Sequence, residues 1–163
     1  MPATTSPPPT LTASASRWKP GVTVAAVIER DGRFLLIEEA EEGRRVYNQP
    51  AGHWEPGETL VGACVRETLE ESAHRFMPTA LVGIYHWRHP SGTDYLRLAF
   101  CGDCDGEVPG RALDPAILGT AWLTADELRV AGPARQRSPL VLRCIEDYLA
   151  GRRYPLEILA HVL

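Results

Sequence analysis

The chain has 163 residues, of which 44% are hydrophobic and 23% are charged. This length and balance are typical of one globular domain that buries a substantial core without a disulfide or a structural metal. The formal net charge of −4 argues against duplex nucleic-acid binding, because no general basic field is present to hold a phosphate backbone. No apolar run approaches the roughly 20 residues that a membrane span requires. We therefore expect neither a duplex nucleic-acid-binding protein nor a membrane-spanning one.

The first 20 residues are predicted to form a flexible tail. Pro, Ser, Thr and Ala dominate this segment, and such a composition buries too little apolar surface to offset the entropy of ordering it. It lacks the basic head and apolar stretch of a secretory signal. Of the four cysteines, only Cys101 and Cys104 form a CxxC pair, which by itself is weak evidence for zinc. We therefore expect reduced thiols, a cytoplasmic protein and a single domain over residues 21–163.

The predicted elements alternate between strands and helices along the chain. Runs rich in β-branched and aromatic residues predict strands at 22–28, 34–37, 46–51, 81–87, 95–100 and 121–123. Helical patterns predict a long helix over 59–76, a short one over 125–128 and another long one over 138–149, with Ser138 as its N-cap and Gly151 as its stop. This order predicts an α/β fold in which helices cover a mixed sheet.

The helix predicted over 59–76 has two unlike faces. At 3.6 residues per turn, one face is aliphatic with two small polar residues at its margins: Val61, Val65, Leu69, Thr68 and Ser72. Glu67, Glu70 and Glu71 lie together on the opposite face, where like charges repel by about 0.2–0.5 kcal/mol per pair. Such a face is either a solvated acidic surface or a site for a hard divalent cation, which takes oxygen ligands. The loop before the helix, residues 49–58, is able to bring a backbone carbonyl to it.

The segment from Gly52 to His74 matches the pattern G-x5-E-x7-R-E-U-x-E-E-x-G-U, in which U is aliphatic. Its fixed positions are met by Gly52, Glu58, Arg66, Glu67, Glu70 and Glu71. The chain therefore resembles the Nudix hydrolase family, and this resemblance implies an αβα sandwich with a mixed β-sheet between helices. Three positions differ, because Thr68 and His74 replace aliphatic residues and Ala73 replaces the closing glycine. We expect the helix to continue to about residue 77 and His74 to face solvent.

The resemblance also implies a metal-dependent hydrolytic site. Glu67 and Glu71 resemble the principal metal ligands, and the Ala51 carbonyl would coordinate from the loop. Glu70 would bind a second metal or a metal-bound water, and the general base is left open between Glu67 and Glu70, with Asp114 as a less favoured candidate. Arg66 resembles a cation that orients Glu70 or Glu58. The implied cofactor is Mg²⁺, with Mn²⁺ as a substitute.

Segments in and beyond the motif, at 48–53, 58–61, 86–87, 137–141 and 153–157, resemble a phosphatase branch of the family. This resemblance implies release of phosphate or pyrophosphate from small organic diphosphates, including thiamine-related pyrophosphates and nucleoside di- and triphosphates. Substrate-binding candidates are aromatic residues for stacking and polar residues for hydrogen bonding or phosphate contact. They are Asn48, Gln49, Trp54, Trp87, Tyr95, Arg97 and Arg137, with Tyr47 as a further aromatic candidate.

Two alternative functions stay open at this point. Pro90, sixteen residues after His74, resembles a marker of ADP-ribose and nucleoside diphosphate-sugar pyrophosphatases. A non-catalytic ligand-binding regulator with the same fold is the alternative from another class, and loss of the motif carboxylates would favour it. The expected partner is a small diphosphate, with no membrane or duplex nucleic acid, and both a monomer and a homodimer are compatible with the sequence.

Overall fold

The computed structural model describes residues 18–162, so the tail predicted over residues 1–20 lies almost entirely outside the described residues. The strands are β1 (Gly21–Val27), β2 (Glu29–Arg30), β3 (Arg33–Glu41), β4 (Arg44–Asn48), β5 (Ala51–His53), β6 (His74–Arg88), β7 (Asp94–Glu107), β8 (Ile117–Leu123) and β9 (Tyr154–Pro155). The helices are α1 (Leu60–Ser72), α2 (Ala125–Ala131) and α3 (Leu140–Leu149), with short 3-10 turns at Pro133–Arg135 and Leu156–Ile158.

The strands form two sheets. The first has the order β5-β1-β7-β6-β9 and is mixed, because β1 and β7 are parallel whereas the other neighbours are antiparallel. The second is antiparallel and centres on β3, which pairs with β2, β4 and β8. The predicted mixed sheet is confirmed, and β3 adds a second sheet that the strand pattern did not separate from it.

Side chains that alternate along β1 pack on two different cores. Val24 contributes to a core that includes Cys64 of α1. Val27 contributes to the opposite core, which includes Cys144 of α3 and Leu128 of α2. Successive strand residues point to opposite faces of a sheet, so the sheets lie between α1 on one side and α2 and α3 on the other. The predicted αβα sandwich is confirmed.

The end of α1 differs from the prediction. The helix stops at Ser72, and Ala73 adopts a left-handed conformation with φ +57° and ψ +17°, its N–H donating to the Leu69 carbonyl. His74 opens β6 and is buried rather than solvent-facing, with its ring edge-on to Trp122. Continuation of the helix was the wrong expectation because a buried alanine takes the conformation that helix ends usually assign to glycine.

The buried face of α1 also differs from the prediction. The residues in its centre are small or hydroxyl-bearing: Ala63, Cys64, Thr68 and Ser72. Thr68 Oγ1 donates to the Cys64 carbonyl at 2.7 Å and Ser72 Oγ donates to the Thr68 carbonyl at 2.6 Å. Because each hydroxyl is satisfied inside its own helix, burial costs little. The aliphatic residues Val61, Val65 and Leu69 are only partly buried.

Two strands of the first sheet, β6 and β7, are longer than the sequence indicated. β6 and β7 extend to Arg88 and Glu107, and three register shifts in their pairing accommodate irregular positions such as Pro78.

Helix α3 starts at Leu140, and the Leu140 backbone N–H donates a hydrogen bond to Ser138 Oγ at 3.2 Å. Within the described range, no helix is long and apolar enough to cross a membrane.

The left-handed Ala73 leads to a stability prediction. Replacing Ala73 with glycine should raise the stability by about 0.5–1 kcal/mol. Relief of the left-handed conformation, which costs an L residue roughly 1–2 kcal/mol, exceeds the loss of one buried methyl group, about 0.8 kcal/mol. Thermal unfolding of the metal-free protein measures this change as a rise of roughly 1–4 °C. Ala150→Gly, at the C-cap of α3 where φ is −71°, is the matched control and should give no rise. Equal shifts in the two variants would contradict the assignment of strain to Ala73.

Candidate active site

Arg66 connects three carboxylates of the motif. Its Nε and Nη2 donate to the two oxygens of Glu58 at 3.0 and 2.8 Å. Its Nη1 donates to Glu67 Oε1 at 2.8 Å and to Glu70 Oε2 at 3.2 Å. Hydrogen bonding to Arg66 holds the pKa of Glu58 below its usual value. Arg66 thus contacts both of the residues that the sequence paired with it, and Glu67 as well.

Gly52 lies directly against the carboxylate of Glu67. A Cβ atom on Gly52 would stand 2.1 Å from the carboxylate carbon, so any larger residue at this position would displace the Glu67 carboxylate. Burial raises the pKa of Glu67, while the neighbouring Arg66 opposes this shift and Glu70 adds to it. Strand β5 and helix α1 are therefore in contact at one carboxylate.

Glu71 is the most strongly perturbed acid of this cluster. Its Oε2 accepts a hydrogen bond from the Ala51 backbone N–H at 2.7 Å. Burial raises the pKa of Glu71 to about 8, and repulsion from Glu67, Glu39 and Asp114 adds to the increase. A carboxyl group whose charged form is destabilised by buried like charges favours a cation beside it. The resemblance to the family implied that the Ala51 carbonyl faces the acidic cluster, whereas in this structure the Ala51 N–H makes the contact.

The oxygen donors fit a hard divalent cation. The bonds from Arg66 use one oxygen of Glu67 and one of Glu70, and the bond from Ala51 uses one oxygen of Glu71. Each carboxylate keeps its other oxygen for a metal. Within residues 18–162, no group of three acidic, His or Cys side chains is already arranged to hold a metal. In this structure the acidic cluster thus offers suitable oxygen atoms without holding them in a coordination arrangement.

A cavity of about 150 Å³ opens beside this cluster. Ala51 and Gly52 form part of its lining, and so do five of the residues that the sequence proposed for substrate contact: Asn48, Trp87, Tyr95, Arg97 and Arg137. The rings of Trp87 and Tyr95 are stacked, with centroids 5.8 Å apart and planes inclined by 25°. The structure therefore places these candidates together next to the acidic cluster.

Three other candidates lie elsewhere. Gln49 is 1% exposed, and its Nε2 donates to the Val141 carbonyl at 2.7 Å. Trp54 is 44% exposed and its Nε1 donates to the Glu58 carbonyl at 2.8 Å, in a different depression of the surface. Tyr47 packs its ring under the guanidinium of Arg135. None of the three lines the cavity beside Gly52.

The cavity also contains residues that the sequence analysis did not single out: Thr23, Glu39, His53, His89, Ser138 and Leu140. For Glu39 a signal existed, because strand alternation puts it on the same side of β3 as the buried Leu35 and Ile37. A carboxylate in such a position indicates a polar interior site. Burial raises the pKa of Glu39, although the nearby Arg137 opposes the shift.

The cavity continues outward into a larger groove of about 610 Å³. Trp87, His89, Arg137 and Ser138 line both spaces. Pro90, in the turn between β6 and β7, lies on the wall of this outer groove. A ligand that binds beside Gly52 therefore has room to extend past the stacked rings.

The network around Arg66 yields a prediction about metal affinity. Arg66→Lys keeps one positive charge but loses the paired bonds to Glu58 and the link to Glu67 and Glu70. We expect metal affinity to fall about 10–100-fold, as is usual when a group that orients metal ligands is lost. Calorimetric titration with Mn²⁺ measures the change. Arg129→Lys, an exposed ion-pair residue on α2, is the control, and equal affinities in the two variants would contradict the orienting role.

The NUDIX domain model matches residues 17–143 of this chain. The chain therefore belongs to the Nudix hydrolase family, and it is a phosphohydrolase. All motif carboxylates are present, so the alternative of a non-catalytic regulator has no support.

Two relatives extend the match over most of the chain. Phosphatase NudJ of Escherichia coli strain K12 is 39% identical over 142 residues, which covers 87% of this chain and 92% of that protein. A NUDIX hydrolase structure from Nitrosomonas europaea has a TM-score of 0.84 and 54% identity, and covers 88% of this chain and 98% of that one. A structure of a UDP-X diphosphatase is 18% identical with a TM-score of 0.66, and the match covers 90% of this chain and 69% of that one. At this low identity the likeness supports only the shared fold. The chain is thus a homologue of the phosphatase NudJ.

Proposed function

We propose that this enzyme is an Mg²⁺-dependent hydrolase of small organic diphosphates, including thiamine-related pyrophosphates and nucleoside di- and triphosphates. One observation supports the proposal most directly. Trp87, Tyr95 and Arg97 line a cavity whose wall also includes Ala51 and Gly52. The same two residues contact the acidic cluster, Gly52 at Glu67 and Ala51 at Glu71. A substrate whose organic group enters this cavity places its phosphates beside the carboxylates. The likeness to a phosphatase over most of the chain supports the same reaction class.

The acidic residues have distinct proposed roles. Glu67 and Glu71 hold the first ion, and Glu70 holds a second ion or its water, with the Ala51 carbonyl as a further oxygen donor. Bound there, Mg²⁺ would neutralise the diphosphate and lower the pKa of a bound water; Mn²⁺ is expected to substitute for it. Arg66 fixes the carboxylates through the hydrogen bonds described above.

The proposed step is hydrolysis of one phosphoanhydride bond. A water oxygen forms a bond to phosphorus, the bridging P–O bond breaks, and the leaving phosphate departs with the bond's electron pair. Glu67 or Glu70 accepts the proton that the water loses. On the substrate side, Trp87 and Tyr95 stack on the organic group, Asn48 hydrogen-bonds it, and Arg97 and Arg137 contact phosphate. Gln49 and Trp54 are left out of this set because neither residue lines the cavity.

A metabolite panel tests the proposal. The purified enzyme is incubated with Mg²⁺ and a series of organic diphosphates, nucleoside di- and triphosphates, nucleoside diphosphate sugars and ADP-ribose. Released orthophosphate and pyrophosphate are measured separately, and the two phosphomonoesters formed from ADP-ribose or a sugar nucleotide are measured by chromatography. We expect Mg²⁺-dependent turnover of diphosphates and triphosphates. Turnover of ADP-ribose or nucleoside diphosphate sugars alone would favour the second candidate, for which the outer groove beside Pro90 offers space. Absence of Mg²⁺-dependent turnover across the panel would overturn the proposal.

A further inference from the structure

The chain that follows α3 crosses the fold from one core to the other. Strand β9 pairs with β6 at the edge of the first sheet, and a 3-10 turn at Leu156–Ile158 comes directly after it. We call residues 154–162 the strap. The strap lies beyond residue 143, where the match to the NUDIX domain model ends, so its role does not follow from membership of the family.

The strap packs against the first turn of α1. Two of its side chains, Leu156 and Leu159, are half-buried, whereas the others are exposed. Both leucines pack on the core that includes Cys64 of α1, and so do Leu60 and Val61 from the first turn of that helix. The strap therefore adds aliphatic packing at the end of α1 that directly follows the motif residue Glu58.

Trp54 lies opposite the end of the strap and holds the backbone of Glu58. The two face each other across a depression of about 430 Å³. The indole Nε1 donates to the Glu58 carbonyl at 2.8 Å, and the Glu55 N–H donates to Glu58 Oε1 at 2.9 Å. Glu58 is thus fixed at its backbone and at its carboxylate. Trp54, which the sequence proposed for substrate stacking, instead supports a motif residue.

Arg66 connects Glu58 to the carboxylates proposed to bind metal. Its Nε and Nη2 donate to the two oxygens of Glu58, and Nη2 also donates to the His53 carbonyl at 3.1 Å. The third nitrogen, Nη1, donates to Glu67 and Glu70. Because a guanidinium is planar and rigid, the position of Glu58 determines where Nη1 lies. Continuous contacts therefore lead from Glu58 to two acids of the cluster.

We propose that Trp54 and the strap are positioning elements of the metal site. They fix Glu58, which orients Arg66, and Arg66 in turn orients the carboxylates of Glu67 and Glu70. Neither Trp54 nor the strap contacts the ion itself. This inference rests on the proposed function for the presence of an ion, but the orientation of Arg66 is a property of the metal-free protein.

Substitutions at Leu159 and Trp54 test the proposal at both sides of the depression. Leu159→Ala removes aliphatic packing, whereas Trp54→Phe removes the indole N–H and keeps a ring. We expect each to lower the Mn²⁺ affinity measured by calorimetry about three- to tenfold, because they act on the metal ligands only through Arg66. Leu159→Met, which conserves the side-chain volume, should restore the affinity of the wild type.

Leu123→Ala is the matched control for Leu159→Ala. Leu123 is also half-buried, but it packs on the opposite core. We expect this variant to bind Mn²⁺ like the wild type at a temperature well below its melting transition. An equal loss of affinity in Leu123→Ala and Leu159→Ala would overturn the proposal, because the loss would then follow from general destabilisation.

Double-mutant cycles test whether the effect passes through Arg66. In Arg66→Lys the paired bonds to Glu58 are already absent. Leu159→Ala and Trp54→Phe should therefore change the Mn²⁺ affinity of this variant by less than about twofold, since effects that share one path are not additive. A loss as large as in the wild-type background would contradict a path through Arg66.

Hydrogen exchange at Arg66 Nε distinguishes failure of this inference from failure of the proposed function. This N–H donates to Glu58 Oε2 at 3.0 Å, and NMR follows its exchange in metal-free protein. We expect exchange about fivefold faster than in the wild type in Leu159→Ala and in Trp54→Phe, and unchanged in Leu123→Ala. Faster exchange in both variants, without Mn²⁺ binding by the wild type, would sink only the proposed function. Unchanged exchange in either variant would sink the positioning role, whatever the metal affinity.

Discussion

Replacing Glu71 with glutamine is expected to lower kcat/KM about 10³-fold, a loss of roughly 4 kcal/mol of transition-state stabilisation. The glutamine side chain keeps an oxygen that accepts a hydrogen bond from the Ala51 N–H, so strand β5 and helix α1 should stay in place. What it loses is the negative charge that we propose to hold the metal. Initial rates at saturating Mg²⁺ on the best substrate of the panel measure the effect, and wild-type turnover in this variant would remove Glu71 from the site.

The same variant should be more stable than the wild type when no metal is present. The pKa of Glu71 rises from 4.5 to about 8 in the folded protein. The ionised carboxylate therefore destabilises the folded state relative to the unfolded one. The resulting penalty is absent below the unfolded pKa, grows as the pH rises, and is complete above about pH 8. Glu71→Gln escapes this penalty, so its melting temperature near pH 8 should exceed that of the wild type, and the difference should vanish towards pH 4.5.

Metal addition and a surface control complete this test. Mg²⁺ should raise the melting temperature of the wild type but not of Glu71→Gln, because only a folded state that binds the ion is stabilised by it. Glu157→Gln, at an exposed position near the C-terminus, should match the wild type at every pH. A pH-independent difference between Glu71→Gln and the wild type would contradict the assigned burial of charge.

Gly52→Ala is expected to reduce kcat/KM about 10²-fold with little loss of stability, since small displacements of catalytic groups cost rates of this size. The added Cβ would meet the Glu67 carboxylate at 2.1 Å. That carboxylate is the far end of a flexible side chain, so it can move away and relieve the clash without unfolding the protein. The movement takes Glu67 out of its position beside Arg66 and Glu71. Activity measurements together with thermal unfolding separate the two effects.

Gly106→Ala is the matched control for this substitution. Gly106 lies in β7 with an ordinary backbone conformation, and a Cβ there would have nothing within 4 Å. We expect wild-type activity and nearly unchanged stability. If Gly52→Ala behaves like Gly106→Ala, the close approach of strand β5 to Glu67 is not important for turnover.

Local patterns in the sequence were sufficient to predict helices that cover a mixed sheet and the acidic face of α1, whereas the αβα sandwich was implied by the resemblance to the Nudix family. Glu67, Glu70 and Glu71 share a face through helical periodicity alone, and Gly52 and Arg66 stand at fixed distances from them along the chain. The end of α1 was not predictable in this way. Ala73 takes its left-handed conformation because the residues after it enter β6. Strand β6 forms by pairing with β7, which lies far along the chain, so a local pattern could not indicate where α1 ends.

The cavity was predicted only in part, for a related reason. Arg97 and Thr23 meet because β1 and β7 pair in parallel, and Glu39 joins them from the other sheet. Trp54 and Trp87 looked equivalent as aromatic candidates, yet only Trp87 reaches the cavity. Such differences depend on strand order and register, which residue type and spacing do not specify.

Calorimetric titration of the purified protein with Mg²⁺ and Mn²⁺, combined with the anomalous signal of Mn²⁺ in a soaked crystal, tests the proposed metal site most directly. We predict saturable binding and an anomalous peak in contact with Glu67 and Glu71, both lost in Glu71→Gln. No heat of binding and no peak between these two carboxylates would contradict the proposal that the acidic face of α1 is a catalytic metal site.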